Sequence, residues 1–532
     1  MPSDLVQKSF RATVFLFFSV LFGSGADAVK DPRPHSESAS SESFPAPVYS
    51  ETVLSANFED GKKYFLDALL EIHSAHTLML ARQGIISKAD ACVCVDAIAM
   101  LERPGILAAR YDGQCEDLFF YVQDLLTQAC GEEVAGKIHT ARSRNDIDLT
   151  MYRMRLRREI LQIAAETAEA REVLLHLAAS NLETIMPAYT HTQPAQPTTL
   201  AHYLLAAVEF LGRDIHRLRA AFATVNRNPL GACAITTTGF RIDRDYTARL
   251  LGFEGLQLNS YGAIAAIDYL SETASAIAVL MLNLGKLVQD LLLWCTQEFG
   301  FLRLSEGYVQ ISSIMPQKRN PVALEHTRVL ASRAFSQAQA VLSCAHNTPF
   351  GDVVDSEDDL QPLTFSMCTD ASRTLRLFAG VMRSAEVDRE RMCRRAHGSF
   401  LSVTELADTL VREEGIGFTM AHRLVTAAVR AIDPEEPPER LVTELQRLAP
   451  KIVGRELSKP REVWSRALDP VHFVAVRTIP GGPAPEAVRS QIAIARKEQA
   501  EAREWLNAKR SLLERYPELI QDEVTAVKNA VR

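Results

Sequence analysis

Three short polar segments of this chain carry side chains suited to gripping carboxylates and moving protons. They are His139-Thr-Ala-Arg-Ser-Arg-Asn-Asp146, Tyr189-Thr-His-Thr-Gln-Pro-Ala-Gln-Pro197 and Ser312-Ser-Ile-Met-Pro-Gln-Lys-Arg-Asn-Pro321. Each lies at an end of a predicted long helix, where free backbone amides together with Arg, Asn, Ser and Thr make an anion site. Blander readings exist for each residue. Ser312 alone would read as a loop-capping hydroxyl and His191 as a buried structural histidine. Arg142 and Arg144 could pair with Asp or Glu inside the fold, and Arg142 is assigned to that role.

The elements that must hold these segments are helical. From Phe65 onward apolar residues recur at helical spacing and strand-like alternation is scarce, which predicts an all-α fold. Three stretches are unusually long: Asp146 to about Ile185, Thr199 to Asn226, and Ser260 to Glu298. The last is rich in Ala, Leu, Ile and Val with few charges over its middle. Such a helix must be buried on most of its surface, which argues for a bundle continued across a subunit boundary; a monomer whose other helices cover it is the alternative. Breaks at Met186–Thr198, Asn228–Gly239 and Gly307–Pro321 are the places to look for function. The organisation expected is an N-terminal helical domain over 51–145, a central long-helix bundle over 146–369 and a C-terminal helical domain over 370–532.

Composition narrows the function. The 532 residues are 47% hydrophobic and 23% charged, ordinary for a globular chain. A net charge of −8 without a basic stripe argues against nucleic acid. Nine scattered cysteines, an odd number with no second pair at metal spacing, read as reduced thiols. Lys8 and Arg11 precede an apolar run from Ala12 to Gly23 and then Ala26-Asp27-Ala28, the layout of a secretory signal peptide over 1–28. A non-native start before a cytoplasmic enzyme is the other reading; with the signal, the mature protein is periplasmic or secreted. Residues 29–50, rich in Ser, Pro and charge, read as a disordered linker. No later segment reads as long and apolar enough to cross a bilayer.

The third segment resembles the signature of the fumarase/aspartase superfamily, and its Met-Pro-Gln-Lys is similar to the argininosuccinate lyase version. The first resembles that family's Arg-Ser-Arg-Asn-Asp and the second its Thr-His-x-Gln-x-Ala-Gln-Pro. Asn228-Pro-Leu-Gly231 with Ile242-Asp-Arg244, Leu251-Gly-Phe253, Asn259-Ser260, and Leu406-Ala-Asp408 with Ala421-His422 match as well. The resemblance runs from about Leu69 beyond His422. It implies a three-domain, all-α, homotetrameric enzyme whose active sites each draw the three motifs from three different subunits, with no cofactor and no metal. The implied activity is elimination of an amine from an N-succinyl compound with release of fumarate, from argininosuccinate or a related substrate. Ser312 is then the base that takes the carbon-bound proton, with Lys318 and loop amides stabilising its alkoxide. Asn320 and Lys318 hold one carboxylate; Ser143, Asn145 and Thr190 contact the fumaryl carboxylates, and Arg144 and Gln361 complete the binding set. His191 and Glu325 resemble a charge-paired dyad, which would raise the imidazole pKa for proton transfer.

Departures from the pattern cluster away from the proton-abstracting groups. The family's Glu-Asp-Ile-His appears as Glu116-Asp-Leu-Phe119, its Gly-Ser-Ser as Ile311-Ser-Ser313, and its Asp-Ala-Val-Ser-Asp-Arg-Asp as Gly262-Ala-Ile-Ala-Ala-Ile-Asp268. The Tyr and Lys that flank Asp-Leu-Gln align with Ser356 and Thr364. Retained chemistry with an altered amine pocket is the reading this supports, so a non-arginine amine or a diamine is the alternative leaving group. A non-catalytic structural relative is a third reading, and the intact Ser312, Lys318, Asn320, His191 and Glu325 argue against it.

Overall fold

The structure is a computed structural model describing residues 44–398, 400–433 and 436–531. The chain falls into two units, residues 1–50 and 51–532. Of the first unit only 44–50 is described, with a helical turn at Pro47–Tyr49. The export-type segment 1–28, and the linker apart from its last seven residues, lie outside the described residues.

The second unit is built on helices. The first to matter is α1 (Leu66–Arg82), buried along most of its length. It packs on α2 (Arg144–Ala179), 36 residues without Gly or Pro, so nothing in the sequence interrupts its hydrogen-bond ladder. A hairpin follows, β1 (Ile185–Thr190) against antiparallel β2 (Gln193–Thr199). Thr199 then caps α3 (Leu200–Val225), its hydroxyl accepting from the His202 amide at 3.1 Å. The bundle is completed by α4 (Asp268–Trp294), α5 (Val322–Ala345) and α6 (Gln361–Ser384), packed α2 on α3 and α6, α4 on α3 and α5, α5 on α6. Between α4 and α5 a small ribbon pairs β3 (Gln310–Ile311) with β4 (Arg319–Asn320).

Differences from the sequence reading have identifiable causes. The segment around His191 is a hairpin, because Pro187, Pro194 and Pro197 bar helix and also mask any period-2 pattern. The stretch expected as one helix over 260–298 is two, Ser260–Ala265 and Asp268–Trp294, since Ala266 leaves the helical region (φ −88°, ψ 125°). By length and composition alone α4 could cross a membrane, contrary to expectation; the charged flanks of the longer stretch had diluted its apolar middle. Its most apolar window has a mean hydropathy of 1.7 and is half buried against the other helices. Residues 370–532 do not behave alike. Leu406 to Leu468 form a separate small core around the wholly buried Trp464. The last helix, α7 (Pro485–Asn529), instead returns to the main core and packs on α1, α2 and α3 through Val488, Ile492, Trp505, Tyr516 and Ile520.

Candidate active site

The start of α2 is held in place by a buried carboxylate. Asp146 accepts from the Ser143 amide at 2.9 Å through one oxygen, and from the Gly231 and Cys233 amides at 2.7 and 2.9 Å through the other. It is wholly buried, and burial raises its pKa while these three amides and Arg142 oppose the rise. The loop it binds is itself fixed from behind. Asn228, also fully buried, donates to the Arg244 carbonyl and the Thr247 hydroxyl, and Arg244 reaches the carbonyls of Leu230 and Gln257. Gly231 is required there: its φ is +92°, and a Cβ would lie 2.7 Å from Arg244 Cγ. The Asn228–Gly231 and Ile242–Arg244 motifs thus anchor the site without lining it.

Ser143 and Asn145 are presented together on this helix start, with Ser143 Oγ donating to Asn145 Oδ1 at 3.0 Å. Asn145 Nδ2 donates to Asp352 Oδ2 at 2.6 Å and to the Ala234 carbonyl at 3.2 Å. Asp352 belongs to an acidic loop running to Asp359. Arg144, expected to bind substrate, instead pairs with Glu116 and Asp117, both at 2.9 Å, so its planar donors are taken by the fold. Beside it Asp148 is buried, and burial with the charges of Asp358 and Asp117 pushes its pKa well up. Glu357 rises to about 8 through burial, then its hydrogen bond and repulsion with Asp352 and the charge of Asp358. Tyr152 donates to Asp358.

The departures from the family pattern are mostly turned inward. Phe119 sits in the core with its ring against those of His73 and His139. Ser356 donates to the Val353 carbonyl and Thr364 to that of Leu360, both buried. Gln361 is wholly buried too, with its amide 3.5 Å from the Ser356 carbonyl and its oxygen without a partner, which sets it inside the loop and not on an open surface. Arg142 is buried as expected, but its hydrogen-bond partner is His73 Nδ1 at 2.8 Å and not a carboxylate. Burial brings its pKa down to about 9.

The third motif is a loop closed by the β3–β4 ribbon. Ser312 Oγ accepts from the amides of Ile314 at 3.4 Å and Met315 at 3.1 Å. Lys318 is exposed in the same loop and Asn320 lies on β4. Arg319 ties the ribbon down by donating to the Leu304 carbonyl at 2.8 Å and pairing with Glu306. Ile311 leaves 68% of its surface exposed just before the serine. Glu325 sits in the first turn of α5, also exposed.

His191 and Thr192 form the two-residue turn of the hairpin, with φ of 51° and 61°. Both central residues in the left-handed region is the type I′ pattern that suits strand twist, but it strains residues other than Gly, Asn or Asp. The strain projects Thr190 and His191 into solvent at the tip.

Among the described residues, no hydrogen bond or ion pair links the α2 start, the hairpin tip and the 312–320 loop to one another. The His191–Glu325 pair expected from the resemblance is therefore not made within one chain. What the fold does bring together is Ser143 and Asn145 with the acidic loop, and Ser312 with Lys318 and Asn320. Sequence reasoning missed the anchoring by Asp146, whose place inside the Arg-Ser-Arg-Asn-Asp motif was its only signal, and the convergence of Asp148, Tyr152 and Asp358.

Comparison with known proteins identifies the family. The lyase family model matches residues 116–336, and the model of the argininosuccinate lyase C-terminal region matches residues 400–475. The chain is 42% identical over 456 residues to argininosuccinate lyase 2 of Agrobacterium fabrum, covering 85% of this chain and 90% of that one. It is 39% identical over 456 residues to argininosuccinate lyase of Methanoculleus marisnigri, covering 85% and 92%. Among solved structures, EDDS lyase in complex with formate superposes with a TM-score of 0.80 at 32% identity, covering 88% of this chain and 95% of that one. The chain belongs to the argininosuccinate lyase family of the fumarase/aspartase superfamily, and is a carbon–nitrogen lyase.

Proposed function

We propose that the enzyme eliminates an amine from an N-succinyl compound and releases fumarate. The observation that carries this is the setting of Ser312. A serine oxygen that receives two backbone N–H groups, with a lysine in the same loop, holds alkoxide charge far better than a free serine. Ser312 then takes the proton beside the substrate carboxylate, the carbon–nitrogen bond breaks, and His191 protonates the departing nitrogen. Ser143, Asn145, Thr190 and Asn320 grip the fumaryl carboxylates, with Lys318 supplying positive charge. Arg144 acts through its ion pairs, by fixing the helix start.

Separation of the three segments within one chain supports a site shared between copies, as a homotetramer whose hairpin tip and α5 meet across an interface. His191 and Glu325 would pair there, the carboxylate fixing the orientation of the imidazole. The exposed Leu282 on α4 and Val329 on α5 are consistent with bundle faces that other copies cover. Fumarate formation followed by absorbance tests the assignment: Ser312→Ala is expected to lose about 10²–10⁴-fold in rate, and an unchanged rate refutes it. Sedimentation of a fully active monomer refutes the shared site.

A second reading of the substrate is favoured by the acidic loop next to Asn145. Asp352 there suits a cationic leaving amine, and the departures from the family pattern at Phe119, Ser356 and Thr364 favour one other than arginine, a diamine among them. A panel of N-succinyl amines and argininosuccinate separates the two. Cleavage of argininosuccinate at about 10⁴ M⁻¹s⁻¹ or faster, the ordinary enzymatic range, would overturn the second reading.

A further inference from the structure

Two cavities adjoin on the side of the bundle where α1, α2 and α7 meet. The smaller, about 250 Å³, is lined by the cations Lys62, Lys63, Arg103, Arg155 and Arg158 against the carboxylates Asp67 and Glu71. Arg103 is paired with Asp67 at 2.8 Å and Lys62 with Glu59 at 2.8 Å. Lys63 and Arg158 differ: their hydrogen-bond partners are phenol oxygens, of Tyr64 and Tyr516, both at 2.6 Å. Among the described residues neither has a carboxylate within ion-pair distance. Glu71 accepts from the Tyr516 hydroxyl at 2.7 Å, and its charge and that of Asp67 act on Arg158 from beyond ion-pair distance, as that of Asp60 does on Lys63.

The larger cavity, about 680 Å³, shares Glu71 and Arg103 with the smaller. Its walls carry an apolar strip that includes Ile98, Ile520 and Val524, beside the polar Glu102, Gln521 and Lys528. A cleft that is rich in cations at one end and carries an apolar strip along the other fits a ligand of the same polarity. Five lining cations against two carboxylates leave an excess of positive charge that attracts an anion, and an apolar strip gains from an apolar body.

We propose that this cleft is a second ligand site, for a small amphipathic anion: a carboxylate whose head sits between Lys63 and Arg158 and whose apolar body lies along Ile98, Ile520 and Val524. The site is separate from the catalytic residues. Arg158 is fourteen positions beyond Arg144 on the same straight helix, about 21 Å at 1.5 Å per residue. The inference does not depend on which amine the enzyme releases.

Isothermal titration of the full chain with decanoate, decanol and inorganic phosphate tests it. Decanoate is expected to bind saturably, and decanol and phosphate at least tenfold more weakly. Lys63→Gln and Ala99→Trp change exposed positions on folded helices, one at the cationic end and one at the wall of the apolar end. Each is expected to weaken decanoate at least tenfold while the circular dichroism spectrum and melting temperature stay as in the parent. Ser312→Ala is expected to bind decanoate as the parent does. No saturable decanoate binding, decanol binding as tight as decanoate, or unchanged affinity in both Lys63→Gln and Ala99→Trp overturns the proposal. Loss of decanoate binding in Ser312→Ala overturns it equally, by placing the ligand in the catalytic site.

Discussion

Replacing Asp146 by asparagine removes charge from a wholly buried group whose two oxygens receive three backbone amides, Ser143 at 2.9 Å, Gly231 at 2.7 Å and Cys233 at 2.9 Å. An asparagine keeps one acceptor oxygen, and its NH2 group must face either the Ser143 amide or the Gly231–Cys233 pair. At least one bond is lost and a donor meets a donor. Hydrogen bonds to charged groups contribute about 1.5–3 kcal/mol each. The least costly orientation therefore loosens the α2–loop junction by about that amount, or roughly 10- to 150-fold in an opening equilibrium, since 1.4 kcal/mol is a factor of ten. Hydrogen exchange of a peptide covering 231–233 reads this directly. The expected result is exchange faster by that factor in Asp146→Asn, with slow exchange retained in the middle of α2. Because Ser143 and Asn145 are carried on the loosened turn, KM should rise with it. Unchanged exchange at 231–233 in a folded Asp146→Asn protein would refute the argument that this carboxylate fastens the site.

Gly231→Ala puts a Cβ 2.7 Å from Arg244 Cγ at a φ of +92°, and a backbone strain of about 1–3 kcal/mol should appear as a lower melting temperature with the same exchange signature. Glu357, raised to about 8, is protonated in the folded loop and ionised in the unfolded chain between its ordinary value of 4.5 and 8. Its contribution is complete below 4.5 and is lost as pH rises through 8, so the parent should lose melting temperature over that window. Glu357→Gln should flatten the decline, and a parallel decline in both proteins would count against this carboxyl. Leu282→Glu places a charge on the exposed face of α4, and sedimentation should show smaller assemblies with reduced fumarate release; an intact, fully active assembly would show that this face is not buried between copies.

Much of the scaffold could be read from one line of residues because its signals are local. α2 and α3 follow from long periodic stretches free of proline; α3 ends as expected, while α2 stops at Ala179, short of Ile185, which opens β1. The hairpin at 185–199 was hidden by three prolines, and the break at Ala266 by the absence of any Gly or Pro there. The three motifs could be found because each packs its chemistry into about ten residues. The role of Asp146 could not, since it depends on amides 85 and 87 positions further on. The acidity of residues 352–359 is plain in the sequence, but its meeting with Asp148 and Arg144 exists only once α2 and α6 lie side by side. Arg144 shows the limit of a motif: residue type and spacing invited an anion, and folding gave its donors to Glu116 and Asp117.

The return of α7 to the main core has a consequence for how the chain is made. Tyr516 bonds Glu71 across 445 positions and packs where a Cβ on Gly252 would lie 2.7 Å from its ring. A ribosome must add about 400 residues after α1 before that partner exists. Until then the apolar face awaiting Trp505, Tyr516 and Ile520 stays open to solvent or to chaperones, for about 20 s or more at about 5–20 residues per second. Such long-range closure is slow to form, and a nascent chain stalled before residue 485 would leave that core unsealed. Sealing of the core is thus tied to release of α7 from the ribosome, which makes that helix a checkpoint of folding during synthesis.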